Sequence, residues 1–238
     1  DAPANDGMPD ASRDLTSELV KLVQAMQEIK SEEDSRVNSY EIFVNQKQTR
    51  IRNSRGVDVT FSGFDCEIEV VTNSRKDDHE IEIYKDLRFS DKSAEKIIAE
   101  VRGMFHTGRQ RLNAVPTRQN EHADVLLSGD AVGRFFQYFA MHTNASYQYM
   151  GVAKAKIGES ITGADADPLN IRLVPTLDGS AKNAPYDETG MPVAERVLFE
   201  NGICRSYWGS LQHAHYIGMK DTTSMNNMVV EGGSKTLD

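Results

Sequence analysis

Between Leu15 and Ile29 the apolar residues Leu15, Leu19, Leu22, Val23, Met26 and Ile29 recur at spacings of three and four. That period predicts an amphipathic helix whose single stripe needs a partner surface, ended by the charged run Lys30 to Arg36. The pattern then becomes strand-like over Tyr40–Val44, Thr49–Asn53, Val57–Phe61, Cys66–Thr72 and Glu80–Phe89, with alternation clearest at Ile68, Val70 and Thr72 and at Ile81 and Ile83. Asn53-Ser54-Arg55-Gly56 and Asn73 to Asp78 are the expected turns. These segments predict an antiparallel meander with one wet face.

From Ser90, Asp91, Ser93 or Glu95 onward the helical period returns through Ile97, Ile98, Val101, Met104 and Phe105 to about Leu112, and Pro116 stops it. The polar stretch Thr117 to Glu121 is the expected boundary between a first part, 1–117, and a second, 118–238. Val125-Leu-Leu127 is expected as a short buried strand leading through Ser128-Gly129-Asp130 into a helix with Val132, Phe135, Phe136, Phe139 and Ala140 on its apolar side. Leu169 to Val174 reads as a further strand. After a loop of Gly, Ser, Asn and Pro come strands Arg196–Phe199 and Ile203–Tyr207, joined at Asn201-Gly202, the pair that best tolerates the positive φ of a type I′ turn. A short helix over Ser210 to Met219, ended by Gly218, and a last strand at Met228 to Val230 complete an α+β chain: an antiparallel β meander with flanking helices, then a mixed β-rich part.

The 238 residues, 39% hydrophobic and 26% charged, suit an ordinary globular protein, and a net charge of −9 disfavours direct nucleic-acid binding, which needs Lys and Arg to neutralise phosphates. No run approaches the roughly 18–20 apolar residues that span a bilayer, and the first residues lack a basic region followed by an apolar one. No membrane association is expected. Cys66 and Cys204 are far apart in strand-like settings, which suggests buried free thiols and a cytoplasmic origin. The chain starts without Met and stops at Ser234–Asp238, where a helix would begin after Gly232-Gly233, and this reads as a fragment.

Candidate chemistry is sparse. His213 and His215 lie about 200° apart if helical, and His79, His106 and His122 have no HExxH context. His142, at the end of the helix after Asp130, is a weak metal candidate. No GxSxG elbow or Gly-rich phosphate loop is present in the sequence. Asp165, Asp167, Asp178, Asp187 and Glu188 gather in loops, where acidic proteins usually carry charge.

Five stretches, in order, carry a resemblance: Arg52-Asn-Ser-Arg-Gly-Val-Asp-Val59, Val125-Leu-Leu-Ser-Gly-Asp-Ala-Val132, Ile157-Gly-Glu-Ser-Ile161, Asn183-Ala-Pro-Tyr-Asp-Glu-Thr-Gly-Met-Pro192 and Leu198-Phe-Glu-Asn-Gly-Ile-Cys204. From about residue 36 onward the chain resembles the TldD/PmbA family, the "modulator of DNA gyrase" proteins that act as a heteromeric peptidase in peptide maturation. The resemblance implies the end of the family's N-terminal α/β domain over 1–117 and the first part of its C-terminal β-rich domain over 118–238. Metal-bearing members carry HExxxH on the helix after the Val125–Leu127 segment, where two His and a distant Cys hold zinc and the Glu is the base. Here the matching window is Gln137-Tyr-Phe-Ala-Met-His142, so Gln137 and Tyr138 replace the first ligand and the base. An amide is no substitute for an imidazole ligand, and a phenol is a poor base at neutral pH.

The resemblance therefore implies a PmbA-type subunit without zinc of its own, partnered by a zinc-bearing TldD-type homologue or by itself as a dimer. Its ligand would be unfolded peptide held for proteolytic maturation or degradation, with Asn183, Tyr186, Asp187, Glu188 and Arg196 as candidate peptide-binding residues. The open edge beside the Asn201-Gly202 hairpin would add a strand to it. Two alternatives stand: an active zinc metallopeptidase with a divergent site, for instance His142 with His213 or His215, and a non-enzymatic assembly protein.

Overall fold

Every second residue of one long strand faces the same core: Phe64, Cys66, Ile68, Val70, Thr72 and Ser74 are buried, with partly exposed residues between them. The computed structural model describes residues 13–117, 119, 122–163 and 166–233. The strand is β2 (Asp58–Lys76), the centre of an antiparallel sheet ordered β1-β2-β3, with β1 at Ser35–Arg52 and β3 at His79–Phe89.

Two helices cover its inner face. In α1 (Leu15–Gln27) the Asp14 side chain caps the first turn by accepting from Thr16 N at 3.0 Å, and Leu22, Ala25 and Met26 are buried. In α2 (Ala94–Leu112), capped by Ser93, the buried positions Ile97, Val101, Met104, Phe105 and Gly108 form one stripe. With Phe64, Ile68, Val70, Leu87 and Phe89 these side chains form one core. Burial of each large one contributes roughly 1.5–3 kcal/mol. Gly108 is there because α2 crosses close over the sheet: a Cβ would lie 2.8 Å from Ser74 Cβ.

The five expected strand segments before Ser90 are three strands, because 40–44 merges with 49–53 and 57–61 with 66–72. The intervening Asn45-Gln-Lys-Gln48 is polar on both faces and reads as a loop. It lies where β1 and β2 run beyond β3 as a two-stranded arm, and past the core residue Phe64 main-chain pairing from Lys47↔Gly63 to Arg52↔Asp58 continues without buried side chains. Asn53–Gly56 is the arm's turn, Asn53 Oδ1 accepting from Arg55 N at 2.9 Å and Val57 N at 3.2 Å. The second expected turn shrinks to Asp77-Asp78, since Asn73 to Lys76 pair with β3.

The second half carries α3 (Asp130–His142), α4 (Ala145–Tyr149), α5 (Leu211–Tyr216) and an antiparallel sheet ordered β6-β5-β4-β7. Its strands are β4 (Ile171–Val174), β5 (Arg196–Glu200), β6 (Ile203–Cys204) and β7 (Asn227–Val230). Ala140, Leu169, Ile171, Leu173, Leu198, Phe199, Cys204 and Trp208 pack together, and Trp208 Nε1 donates to Ala140 O at 2.8 Å, tying α3 to the sheet. Asn201 and Gly202 take φ of 50° and 78°, as the type I′ turn requires.

Two further expectations are corrected, and one element is added. Val125–Leu127 is not a buried strand: no described strand pairs with it, and Val125 and Leu126 stand 78% and 74% exposed. The strand from Ile203 ends at Cys204 and not at Tyr207: one further main-chain bond follows, Arg205 N donating to Leu198 O at 2.8 Å, and next the Ser206 hydroxyl donates to Val197 O. α4 was not expected, its five residues being too few for a period to show. The expected linker falls partly, and Ser234–Asp238 wholly, outside the described residues.

Candidate functional site

The helix window Gln137–His142 ends in a side-chain cluster built by a tight return of the chain. After α3, Asn144 caps α4 by accepting from Ser146 N at 2.8 Å, and Gly151, with φ of 71°, turns the chain back over the end of α3. Gln148 Nε2 clamps this return by donating to His142 O at 3.0 Å and to Ala155 O at 2.8 Å. Lys154 is thereby set against the helix, its backbone N–H donating to His142 Nδ1 at 3.3 Å and its Nζ to Tyr138 Oη at 2.8 Å. The Tyr138 ring meets the His142 ring edge to face, centroids 4.4 Å apart.

These contacts decide the imidazole's state. Nδ1 must present its lone pair to the Lys154 N–H, so the ring proton sits on Nε2. Burial and the Lys154 ammonium both hold the ring's pKa below its ordinary value, favouring the neutral form. A zinc ion does not fit this window: the Nδ1 lone pair is engaged, Nε2 carries the proton, and a cationic ammonium stands beside the ring. Among the described residues no three His, Cys, Asp or Glu side chains come together around one ion. His213 and His215 lie on α5, and Ser210 Oγ is 2.9 Å from His213 Nδ1. The helix turns those two imidazoles to different sides.

The loop 183–193 is a scaffold of its own. Asp187 Oδ1 accepts from Thr189 N at 2.8 Å, Thr189 Oγ1 at 2.7 Å and Met191 N at 3.0 Å, while Asp187 N donates to Met191 O at 2.9 Å. Asn183 bonds both backbone groups of Leu177 at 2.9 Å and accepts from Asn227 Nδ2 at 3.0 Å. Tyr186 is buried against Phe61 of the arm. Arg196 donates to Tyr207 O at 3.3 Å and to Asp221 at 2.7 Å, and holds the Asp221 carboxyl below the usual range. Of the five candidate residues, Asn183, Asp187 and Arg196 are hydrogen-bonded into the fold, Tyr186 is packed into it, and Glu188 is exposed. Asp165 lies outside the described residues.

The sheet edge beside the hairpin is covered, against expectation. Cys204 N donates to Glu159 O at 3.0 Å, Gly158 N to Cys204 O at 2.9 Å, and Ile161 N to Gly202 O at 3.1 Å. The opposite edge, β7, has no second neighbour among the described residues. Glu231 N donates to Asn170 O at 3.2 Å, so by alternation the N–H groups of Met228 and Val230 point away from β4. A groove of about 550 Å³ adjoins this edge, walled by Asp130, Arg134 and Gln137 of α3 and by Lys182, Asn226 and Met228. Lys154, Gln148 and the β7 groove escape sequence reading, because no local period marks an exposed lysine or a groove between distant elements.

The family model for the PmbA/TldA metallopeptidase C-terminal domain matches residues 120–238. Comparison with curated proteins finds no match. Among solved structures, TldE from Thermococcus kodakarensis superposes with a TM-score of 0.68 at 18% identity, covering 94% of this chain and 53% of that one. A protein from Thermotoga maritima named as a modulator of a DNA gyrase gives a TM-score of 0.65 at 16% identity, covering 98% and 56%. A similarly named protein from Bacteroides thetaiotaomicron gives 0.61 at 16%, covering 95% and 54%. The chain spans about half the length of these structures, which share its fold. With the family's domain matched over half of its residues, this chain belongs to the PmbA/TldD family.

Proposed function

We propose that this chain is the metal-free, PmbA-type subunit of a cytoplasmic peptidase assembly, and that it holds unfolded peptide for a zinc-bearing TldD-type partner. The observation that carries the reading is the bond from Lys154 N to His142 Nδ1: the one histidine of the window serves the fold, with an ammonium beside it. The peptide's place is the β7 edge. There the outward N–H and C=O groups of Met228 and Val230 would pair with an extended main chain irrespective of its sequence, and α3 would wall the other side. Asn183, bonded to Asn227 of β7, fixes that edge, whereas Tyr186, Asp187 and Arg196 shape the neighbouring loop and leave Glu188 to meet solvent or peptide.

Fluorescence anisotropy of a labelled unstructured peptide tests this, with the chain alone and with a homologue bearing HExxxH. Saturable binding is expected, weakened about tenfold by Met228→Pro, which removes an outward donor and leaves the β4 ladder intact. No binding in either setting contradicts the reading.

A further inference from the structure

Lys154 is an exposed cation in a chain of net charge −9, and its side-chain hydrogen bond goes to a neutral phenol, with no described carboxylate pairing with it. Its Nζ stands 2.8 Å from Tyr138 Oη and 5.4 Å from the centroid of the Tyr138 ring. Because the phenol oxygen accepts from the ammonium, its own O–H is free to donate elsewhere. The ammonium keeps two further N–H groups. The neighbouring His142 carries its proton on Nε2, and no described residue accepts from it. The cluster thus offers several donors and no anionic acceptor, and it is held by the Gln148 clamp on both sides of the return.

We infer that Lys154, Tyr138 and His142 form a carboxylate-binding site at the end of α3, taking the terminal carboxylate of an extended peptide. The ammonium supplies the charge, while the phenol and imidazole supply neutral donors that fix the anion's orientation. The peptide as source of the carboxylate rests on the reading above, but the site's chemistry does not.

The test is a titration of the ¹⁵N-labelled chain with N-acetylglycine, the side-chain signals of His142 being followed by NMR. Lys154→Met is the informative variant, since residue 154 is exposed and its backbone N–H still bonds His142 whatever the side chain. A saturable shift is expected with N-acetylglycine and not with N-acetylglycinamide. Lys154→Met should weaken binding about tenfold, as loss of a charge-assisted bond does, and Tyr138→Phe severalfold. A parallel arm uses N-acetylaspartic acid α-amide: weaker binding than N-acetylglycine supports a terminal carboxylate, and tighter binding overturns that source in favour of an acidic side chain. Equal shifts with acid and amide, or unchanged affinity in Lys154→Met, would overturn the site. Anisotropy with the unstructured peptide is read separately, so loss of the carboxylate site with peptide binding retained leaves the metal-free subunit reading standing.

Discussion

The Tyr186 ring lies 5.9 Å from the Phe61 ring, joining the loop of the second half to the arm that projects from the first. Gly190 completes that joint. Its φ of 82° disfavours any side chain, and a Cβ there would stand 2.4 Å from Val57 Cγ1. Gly190→Ala should therefore cost about 2–4 kcal/mol from left-handed strain and overpacking together. Thermal unfolding should show a transition several degrees lower, and trypsin should cut faster at Arg52 and Arg55 as the arm detaches. A variant as stable and as resistant as the parent would show that the joint carries nothing.

A similar close approach fixes α2. Ala at position 108 meets Ser74 Cβ, whose hydroxyl is already bonded to Ser35 Oγ at 2.8 Å and cannot swing aside without losing that partner. Although Gly→Ala favours a helix by up to about 1 kcal/mol, the clash of about 1–3 kcal/mol wins. Gly108→Ala is expected to lower the midpoint of chemical denaturation with an unchanged m value.

Burial pushes the thiols of Cys66 and Cys204 up to about 11 from an ordinary 9.0. Near pH 8 the thiolate fraction is then about a hundredfold lower than for a free thiol. Both cysteines should resist a disulfide reagent in the folded chain and react at once in denaturant. Since the folded values lie above the unfolded ones, their stabilising contribution is whole below pH 9 and is lost as pH rises towards 11.

On the acid side the informative group is Glu100 of α2. Its partial burial pushes the pKa up, but hydrogen bonds and charge from Lys92 and Lys85 outweigh that, and the net direction is down from 4.5. The folded value lies below the unfolded one, so the contribution is present above pH 4.5 and is lost as pH falls through the lowered value. Glu100→Gln should flatten the acid limb of the stability profile; an unchanged slope would show that the lysines do not act through this carboxylate.

Much of this was legible in the chain itself, and the failures share a cause. Ser93, the stripe Ile97 to Phe105 and the Asn201-Gly202 turn carry their own periodicity or φ preference, so local reading finds them. Asn45–Gln48 misleads because an arm beyond the core needs no apolar face, and Val125–Leu127 because an apolar triplet becomes a buried strand only where a partner strand meets it. At the candidate site the substituted window and His142 were visible through the family motif. What His142 does was not, because the group that determines its tautomer is the backbone N–H of Lys154, twelve residues on and supplied by an unremarkable turn.

That tautomer also gives the most direct check on the metal-free reading. Zinc content of the purified chain, measured by mass spectrometry after exposure to equimolar zinc and gel filtration, is expected to stay far below one ion per chain, with no difference in His142→Ala. One zinc per chain, lost in His142→Ala, would show that the imidazole binds metal and would contradict the account.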